Sequence, residues 1–237
     1  MMKKISVIVP VLNDYKALYV LIQHLNKSDD RDDFEWIIVD GGSNVAPEWL
    51  IHMENVRWIH SAKKGRAVQM NLGARTAKHD ILYFVHADTL PPLSFVRDIN
   101  MAILRKLEVG AFRLKLDSIN PLLTINSFIT WFNNPFSGGG DQSLYILRGR
   151  FYEEGGFNER FSIMEDFEFV NRLTPKTGYH IIPKNILASS RKYTHNGYLR
   201  VNIANLKAFL LFKRGIDPDI IKSRYYHWLE KVDRDLE

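Results

Sequence analysis

The chain has 237 residues, of which 46% are hydrophobic and 25% charged, and its formal net charge is +5. This balance excludes a disordered chain, a collagen and a coiled coil. No apolar run approaches the about 18 residues that a membrane span needs, and the lack of cysteine excludes disulfides, thiolate zinc sites and cysteine nucleophiles. We therefore expect a single domain, residues 1–237, in the cytoplasm.

The first third of the chain alternates between strand-like and helix-like segments. Short runs of β-branched, aromatic and other apolar residues predict strands at 5–11, 35–39, 56–59 and 81–85. The segments between them carry apolar residues at helical spacing. This alternation predicts an α/β fold, a parallel sheet with helices on both faces, whose ligands bind beyond the carboxyl ends of the strands.

The rest of the chain predicts a sheet that becomes mixed, followed by a helical end. Residues 110–116 alternate apolar and polar side chains like a half-buried strand, and they follow a helix predicted at 95–106. Further along we predict a glycine-rich loop at 133–142, a strand at 144–147, a helix within 162–173, and helices at 198–212 and 220–232.

Positive charge is concentrated in the last quarter of the chain. Residues 175–237 hold 12 Lys/Arg against 6 Asp/Glu, and no carboxylate occurs from Phe169 to Ile216. This segment either faces an anionic partner, such as nucleotide phosphates or an anionic membrane surface, or is a solvated basic face. Nucleic acid is a weaker candidate because no nucleic-acid motif accompanies the charge. Residues 198–214 have an apolar side with Lys/Arg near both ends, a pattern typical of an interfacial helix and equally of a helix packed on its own core.

Two aspartates follow predicted strands. Asp40 comes directly after the second strand and Asp88 shortly after the fourth. An aspartate at the carboxyl end of a strand faces the ligand crevice, where it can accept a hydrogen bond from a base or a ribose, or bind Mg²⁺ or Mn²⁺. Each residue alone is more typical of a turn or a helix cap. The pair together favours a nucleotide site.

A basic loop precedes the third predicted helix. Lys63 and Lys64 are followed by Gly65 and Arg66 at the start of that helix, whose free N–H groups favour a phosphate. The combination suits a diphosphate, although a basic loop alone is as often merely solvated. The sequence contains no GxxxxGK[ST] motif and no GxGxxG after a strand, which excludes a P-loop enzyme and disfavours a dinucleotide cofactor.

Carboxylates also open the helix predicted within 162–173. A carboxylate at the mouth of the crevice, such as Glu165 or Asp166, can remove the proton of an acceptor hydroxyl during direct displacement at a sugar carbon. Alone, such residues are more typical of a helix N-terminus. Upstream, Gly140 allows a close backbone approach, and Asp141 and Gln142 offer hydrogen bonds to hydroxyls of donor or acceptor sugars. The alternative for this loop is a lid without ligand contact.

Taken together, six motifs resemble a known family. They are ISVIVPVLND (5–14), IIVDGGS (37–43), GRAVQMNLGA (65–74), FVHADT (84–89), GGGDQSLYILR (138–148) and MEDFEF (164–169). Their order and spacing are similar to those of family 2 glycosyltransferases with the GT-A fold, and in particular to a bacterial branch with GRAxQMN, HADT, GDQ and MED motifs. The resemblance runs from about Ile5 to Arg172.

The resemblance implies an inverting transfer of a sugar from a nucleoside-diphosphate donor to a saccharide or lipid-linked acceptor, assisted by Mn²⁺ or Mg²⁺. It makes residues 1–116 a nucleotide-sugar-binding half, 117–190 an acceptor and catalytic half, and 191–237 a basic helical extension of the same domain. The basic extension adds the hypothesis that the enzyme attaches peripherally to the inner membrane face.

The resemblance also implies roles for individual residues. Asp166 would be the general base with Glu165 as its neighbour, and Asp88, the last residue of a DXD-like triplet, would bind the metal. Gly140, Asp141 and Gln142 remain candidates for sugar binding. The residues assigned to the nucleotide are Pro10, Val11, Asn13, Asp40, Gly65, Arg66 and His86.

Two histidines have alternative roles within this resemblance. His86 occupies the first position of the triplet, where relatives commonly have Asp. Its neutral imidazole could ligate Mn²⁺ or hydrogen-bond the ribose, and we favour the ribose because the last Asp usually binds the metal. His195 is similar to a late histidine that closes the metal site in some GT-A enzymes, but an isolated histidine in a basic loop is more often exposed.

Two other function classes remain as alternatives. A sugar-1-phosphate nucleotidyltransferase also needs Mg²⁺, but it should carry a glycine-rich phosphate loop after the first strand, and residues 10–14 contain no glycine. The second alternative is a catalytically degenerate protein that binds sugar nucleotides or a membrane surface, in which Asp166 is only a helix cap. Replacing Asp166 by Asn would leave the function of such a protein intact, whereas a transferase would lose turnover but keep donor binding.

Overall fold

The computed structural model describes residues 2–43, 47–51, 53, 55–132 and 139–229. Its strands are β1 (Ile5–Val11), β2 (Phe34–Asp40), β3 (Val56–His60), β4 (Ile81–Phe84), β5 (Thr89–Leu90), β6 (Val109–Leu116), β7 (Leu144–Leu147) and β8 (His180–Ala188). Its α-helices are α1 (Tyr15–Leu25), α2 (Glu48–Ile51), α3 (Arg66–Thr76), α4 (Phe95–Leu104), α5 (Pro121–Ile129), α6 (Arg148–Glu153), α7 (Glu165–Thr177), α8 (Arg191–Asn196), α9 (Tyr198–Lys213) and α10 (Pro218–Trp228). Short 3-10 helices lie at Arg31–Asp33 and Gly140–Gln142.

One sheet contains these strands in the order β3-β2-β1-β4-β7-β6-β8-β5. The strands β3, β2, β1 and β4 run parallel. Antiparallel pairing begins at β7, which lies between β4 and β6, while β6 and β8 are parallel and the short β5 is antiparallel to β8. The predicted α/β fold, with a sheet that becomes mixed in its second half, is therefore confirmed.

Hydrophobic layers cover both faces of the sheet. The central strand β1 is buried along its whole length, as expected for a parallel strand between two helical layers. Its side chains alternate, so that Val7 and Val9 pack with α1 and α4 while Ile8 packs with α3. Helix α3 approaches very closely at Gly73, where a Cβ atom would lie 2.4 Å from Cγ2 of Ile8. This packing fixes the start of α3 beside the ends of β1 and β2.

The C-terminal helices form a smaller cluster. One side of α9 buries Val201, Ala204 and Ala208 against a cluster that includes Ile221 and Tyr225 of α10. The helix predicted at 198–212 therefore packs on its own core through that side. None of the helices in the described ranges has both the length and the apolar character needed to cross a bilayer.

Some elements lie where the sequence analysis predicts none, among them α5, β5 and β8. Strand β8 contains Pro183 and three consecutive exposed residues, a pattern that argues against a strand within a sheet. The sheet accommodates it through a register shift between Phe112 and Arg113 of β6, opposite Pro183. Residues 133–138 of the predicted glycine-rich loop, and the part of the predicted closing helix beyond Leu229, lie outside the described residues.

Candidate functional site

Asp40 organises the loop that follows β2. Its carboxylate is buried and accepts hydrogen bonds from the backbone N–H of Ser43 at 3.1 Å and of Gly42 at 3.3 Å, as well as from the Ser43 hydroxyl. The Tyr15 hydroxyl and His60 Nδ1 each lie 3.3 Å from this carboxylate. Asp40 therefore sits at the carboxyl end of β2, as predicted, with its loop folded tightly around it.

The residues predicted to line a nucleoside pocket lie beside this loop. Pro10 and Val11 are the buried last residues of β1. Asn13 has φ +55°, a left-handed conformation that is uncommon outside glycine, and its N–H donates to Ser43 Oγ at 2.8 Å. This hydrogen bond joins the loop after β1 to the loop after β2, so the two loops form one wall of a crevice.

The N-terminus of α3 faces the same crevice. Gly65, with φ +128°, precedes the helix in a conformation that L side chains rarely adopt, and Arg66 is the first helical residue. Shielding from water lowers the pKa of Arg66, but nearby negative charges outweigh this effect and raise it. These charges are the carboxylates of Glu165, Asp141, Asp166 and Asp88. The Arg66 guanidinium, on an exposed residue, thus lies within electrostatic reach of the acidic residues singled out from the sequence.

Other residues of the GRAVQMN motif brace the start of α3. The buried amide of Gln69 donates to the carbonyl oxygens of Val11 at 3.0 Å and Val39 at 2.7 Å, near the ends of β1 and β2. The Asn71 side chain donates to the Phe157 carbonyl at 2.9 Å and accepts from the Phe157 N–H at 3.0 Å. These bonds explain why amide side chains occupy these positions, because each one satisfies buried backbone groups.

His86, Asp88 and Asp141 form a charged cluster after β4. Nδ1 of His86 lies 3.7 Å from Oδ1 of Asp141. Burial lowers the pKa of His86, but the neighbouring Asp141 carboxylate helps to raise it overall. For Asp141 the signs are reversed: burial raises its pKa, and the nearby His86 helps to lower it overall. Burial, and then the negative charge of Asp141, raise the pKa of Asp88.

Glu165 and Asp166 open α7, and Asp166 reaches the crevice beside Gly140. Met164, with φ +65°, turns the chain into this helix. Glu165 is 3% exposed, and among the described residues its Oε1 has no hydrogen-bond partner. Asp166 accepts hydrogen bonds from the backbone N–H groups of Gly140 and Phe167. Burial, and then the charge of Glu165, raise the pKa of Asp166 to about 7, which suits a group that accepts a proton near neutral pH.

Two predicted site residues lie apart from this cluster. Gln142 is buried, and its amide donates to the backbone carbonyls of Thr130 at 3.0 Å and Phe112 at 3.3 Å. His195 is exposed in the last turn of α8, and no contact between described residues joins it to Asp88. The structure therefore brings together His86, Asp88, Asp141 and Asp166 at one crevice, within electrostatic reach of Arg66.

Arg191 is a crevice residue that the sequence analysis does not single out. Its Nη2 atom lies 2.6 Å from Oδ2 of Asp14 and 3.7 Å from Oδ2 of Asp88. In the sequence it is one of many basic residues in a segment without carboxylates, and nothing there shows which of them reaches the crevice. The fold decides this by bringing α8 against the loops that follow β1 and β4.

The side chains of this crevice offer only part of the shell that a divalent cation needs. The described residues contain no group of three or more His, Cys, Asp or Glu that could hold a metal ion. However, the Asp88 side chain is 37% exposed, and the nearby charge of Asp141 opposes its ionisation. A divalent cation relieves such repulsion, and Mg²⁺ usually binds one or two carboxylates and completes its shell with water and substrate phosphates. The residues therefore fit a cation that binds together with a phosphate-bearing ligand.

The sequence is similar to proteins of a known family. A family model described as "Glycosyl transferase family 2" matches residues 6–145, which include Asp40, Arg66, Asp88 and Asp141. The glycosyltransferase GlyG from Streptococcus pneumoniae serotype 4 is 28% identical over 112 residues, which are 45% of this chain and 37% of that protein. The matched part thus spans well under half the length of this relative.

Solved structures with similar folds were also found. Mannosyltransferase PcManGT from Pyrobaculum calidifontis, in complex with GDP-Man and Mn²⁺, has a TM-score of 0.67 at 17% identity, covering 90% of this chain and 64% of that one. A part of TarS from S. aureus, in complex with UDP-GlcNAc, has a TM-score of 0.65 at 17% identity, covering 88% and 66%. At such identities the likeness shows the fold alone, and it confirms the predicted GT-A type.

Proposed function

This chain belongs to glycosyl transferase family 2, and from that premise we propose that it transfers a sugar from a nucleoside diphosphate to a hydroxyl acceptor with inversion at the anomeric carbon. One observation carries the proposal. A strand-end aspartate, Asp88, and an aspartate whose pKa is raised to about 7, Asp166, both act electrostatically on the Arg66 guanidinium, and Gly140 brings Asp166 next to His86 of the Asp88 loop. Asp88 suits a cation bound to a diphosphate, and Asp166 suits a general base.

The donor is proposed to bind beyond the ends of β1, β2 and β4. In this arrangement residues 1–116 hold the nucleotide, residues 117–190 complete the acceptor side, and residues 191–237 extend the domain. The hydrogen bond between the loops after β1 and β2 supports a shared nucleoside pocket. The proposed nucleotide contacts are Pro10, Val11, Asn13, Asp40, Gly65, Arg66 and His86, and the sugar contacts are Gly140 and Asp141, with Gln142 anchoring their loop.

Asp166 is proposed to remove the proton of the acceptor hydroxyl. As the acceptor oxygen forms its bond to the anomeric carbon, the bond from that carbon to the diphosphate oxygen breaks, and the diphosphate leaves with the electron pair. Attack from the side opposite the leaving group inverts the configuration. The charge of Glu165 contributes to the high pKa of Asp166, so the neighbouring carboxylate makes Asp166 a stronger base.

Asp88, with Asp141 nearby, is proposed to hold Mn²⁺ or Mg²⁺, and His86 is a further candidate ligand, whereas the exposed position of His195 apart from this cluster does not support the role predicted for it. When bound, the cation supplies positive charge that stabilises the leaving diphosphate. This chain adds its own permanent positive charges at the same place through Arg66 and Arg191.

The proposal is tested by measuring nucleoside-diphosphate release from UDP-, GDP- and dTDP-sugars with Mn²⁺, Mg²⁺ or EDTA, with and without saccharide and lipid acceptors. We expect metal-dependent release from one donor that an acceptor accelerates, and NMR of the product should show the inverted anomer. A retained anomeric configuration, or donor binding without release under every condition, would contradict it.

Arg191→Ala is expected to weaken donor binding about 10- to 100-fold, because it removes a charge-assisted contact to the diphosphate. Arg191→Lys should restore only part of the affinity, since a lysine lacks the planar fork of donors. The matched control is Arg224→Ala on α10, an exposed arginine. Donor affinity is read by calorimetry and folding by thermal melting. If Arg191→Ala lowers the melting temperature while donor affinity stays unchanged, Arg191 is only a bridge between Asp14 and Asp88.

Gly140→Ala is expected to lower turnover on the order of 100-fold by displacing two crevice side chains. A Cβ atom at this position would lie 2.2 Å from Cε1 of His86 and 2.9 Å from Oδ2 of Asp166. The matched control is Gly149→Ala on α6, where a Cβ atom would have no neighbour within 4 Å, so turnover should not change. Equal turnover of both variants would show that the crevice tolerates movement of His86 and Asp166.

A further inference from the structure

Helix α9 exposes a stripe of large apolar side chains on the side opposite its own core. The residues of this stripe are between 45% and 71% exposed and recur at the spacing i, i+4, i+7 and i+11, so they share one side of the helix. They are Leu199, Ile203, Leu206 and Leu210. The buried residues Val201, Ala204 and Ala208 occupy the other side. The helix is therefore apolar on two opposite sides, and only one of them has a partner among the described residues.

Helix α5 and its flanks add a second exposed apolar ridge. Each of its residues is at least 45% exposed: Ile119, Leu122, Ile125, Phe128 and Phe132. The sequence from 118 to 140 contains no charged residue. Soluble proteins usually interrupt such surfaces with charge, and a large exposed apolar patch marks an interaction site.

The two ridges border on each other where α5 contacts the first turns of α9. The Asn126 side chain on α5 donates to Oδ1 of Asn202 on α9 at 2.8 Å and accepts from the Tyr198 hydroxyl at 3.1 Å. We call the exposed apolar residues of the two ridges the α5–α9 face.

Basic residues border this face. Arg200, Lys207 and Arg214 recur every seven residues and therefore line one edge of the α9 stripe, and Lys213 lies on the other edge. The sequence from Phe169 to Ile216, to which these residues belong, contains no carboxylate. A broad apolar face with Lys/Arg at its edge is the pattern of helices that lie in the headgroup region of anionic bilayers.

We propose that the α5–α9 face docks on an anionic lipid bilayer, with its apolar side chains inserted at headgroup depth and its basic edge on the lipid phosphates. A second copy of the chain fits this face less well, because a symmetric pair would bring the two basic edges together without compensating carboxylates.

The docked face adjoins the crevice. The Asn126 side chain also donates to the Tyr193 hydroxyl of α8 at 3.2 Å, and two residues earlier on α8 Arg191 contacts Asp14 and Asp88. Docking therefore places the crevice near the bilayer surface. On the basis of the proposed function, this position favours an acceptor whose hydroxyl is carried by a lipid.

Vesicle flotation without any sugar donor tests the docking itself. Wild-type protein should float with vesicles of phosphatidylcholine and phosphatidylglycerol but not with pure phosphatidylcholine. Leu199→Glu/Ile203→Glu should reduce the bound fraction about tenfold or more by adding charge to the inserted face, and Arg200→Glu/Lys207→Glu should reduce it similarly by removing the attraction to lipid phosphates. The matched control is Leu104→Glu/Val20→Glu, which changes equally exposed residues on α4 and α1 and should bind like wild type.

Thermal melting of each variant establishes that it is folded, and nucleoside-diphosphate release with a soluble acceptor reads the proposed transfer separately. Wild-type protein that stays unbound with anionic vesicles would overturn the docking proposal, as would equal binding of the face variant and the control. A dimer in sedimentation experiments that Leu199→Glu/Ile203→Glu dissociates, without any flotation of wild type, would assign the face to a second copy and also overturn it.

Discussion

Asp166→Asn is expected to lower turnover by about 100- to 10,000-fold, the range for loss of a general base, while donor binding is retained. Asparagine keeps the size of the side chain, and its single amide oxygen can still accept one of the two N–H groups, which donate to different oxygens of Asp166: Gly140 to Oδ2 and Phe167 to Oδ1. It cannot take up the proton of an acceptor hydroxyl. Nucleoside-diphosphate release reads the turnover, and a donor-induced thermal shift reads the binding.

The pH profile of the wild-type enzyme should identify the same group. Only the ionised carboxylate can act as base, and the pKa of Asp166 is raised to about 7. Turnover should therefore rise with pH through about 7 and then level off. The residual turnover of Asp166→Asn should lack this step.

The same variant should be more stable than wild type above neutral pH. The pKa of Asp166 is about 7 in the folded state and about 3.9 in an unfolded chain. Between these values the folded state binds more protons, so the free energy of unfolding falls as pH rises through this interval. At about pH 8 the wild type bears the full cost of this charge, on the order of 1–4 kcal/mol. Asparagine avoids that cost and loses one N–H hydrogen bond, a smaller effect of about 1 kcal/mol.

Asp219→Asn on α10 is the matched control, because Asp219 also lies in the first turn of a helix but outside the crevice. It should leave turnover unchanged. If Asp166→Asn transfers sugar at the wild-type rate, Asp166 is a helix-terminal carboxylate and the assignment of the base is wrong.

Asp88→Asn is expected to remove the metal dependence of donor binding and to lower turnover on the order of 100-fold or more, because a neutral amide is a poor ligand for Mn²⁺ or Mg²⁺. Donor affinity measured with Mn²⁺ should fall to the value measured with EDTA. Calorimetry with a nucleoside diphosphate gives both affinities.

Asp80→Asn is the matched control for this substitution. Asp80 precedes β4 and Asp88 follows it, so the two aspartates lie at opposite ends of one strand. Asp80 is exposed near Arg148 and should not influence metal or donor. A Mn²⁺-dependent gain in affinity that survives in Asp88→Asn would show that the cation is held elsewhere.

The parallel half of the sheet could be predicted because its strands are continuous apolar runs. Strand β1 has the predicted bounds, and β2 and β3 differ from the prediction by one residue at one or both ends. Strand β8 could not be predicted, since Pro183 and its exposed neighbours break the apolar pattern. Its place in the sheet depends on pairing with β6, and such long-range pairing overrides local preference.

The position of the crevice could be predicted because it follows from the order of the strands. Strand ends of a parallel sheet meet at one edge, so Asp40 and Asp88 were expected there, and the start of α3 with Arg66 follows from its position in the chain. The contact between Arg191 and Asp14 could not be predicted, because it joins residues 177 positions apart. The roles of these residues in donor and metal binding stay predictions.

A thermal-shift measurement of the purified protein with UDP, GDP, dTDP and CMP, each with Mn²⁺, Mg²⁺ or EDTA, tests most directly whether this crevice is a metal-dependent nucleotide site. Ligand at 100 times its Kd should add about 2.7 kcal/mol to the free energy of unfolding, a readily visible shift. We predict a shift with one nucleoside diphosphate that EDTA abolishes and that Asp88→Asn lacks. No shift with any nucleotide in either metal would contradict the account and favour a catalytically degenerate crevice.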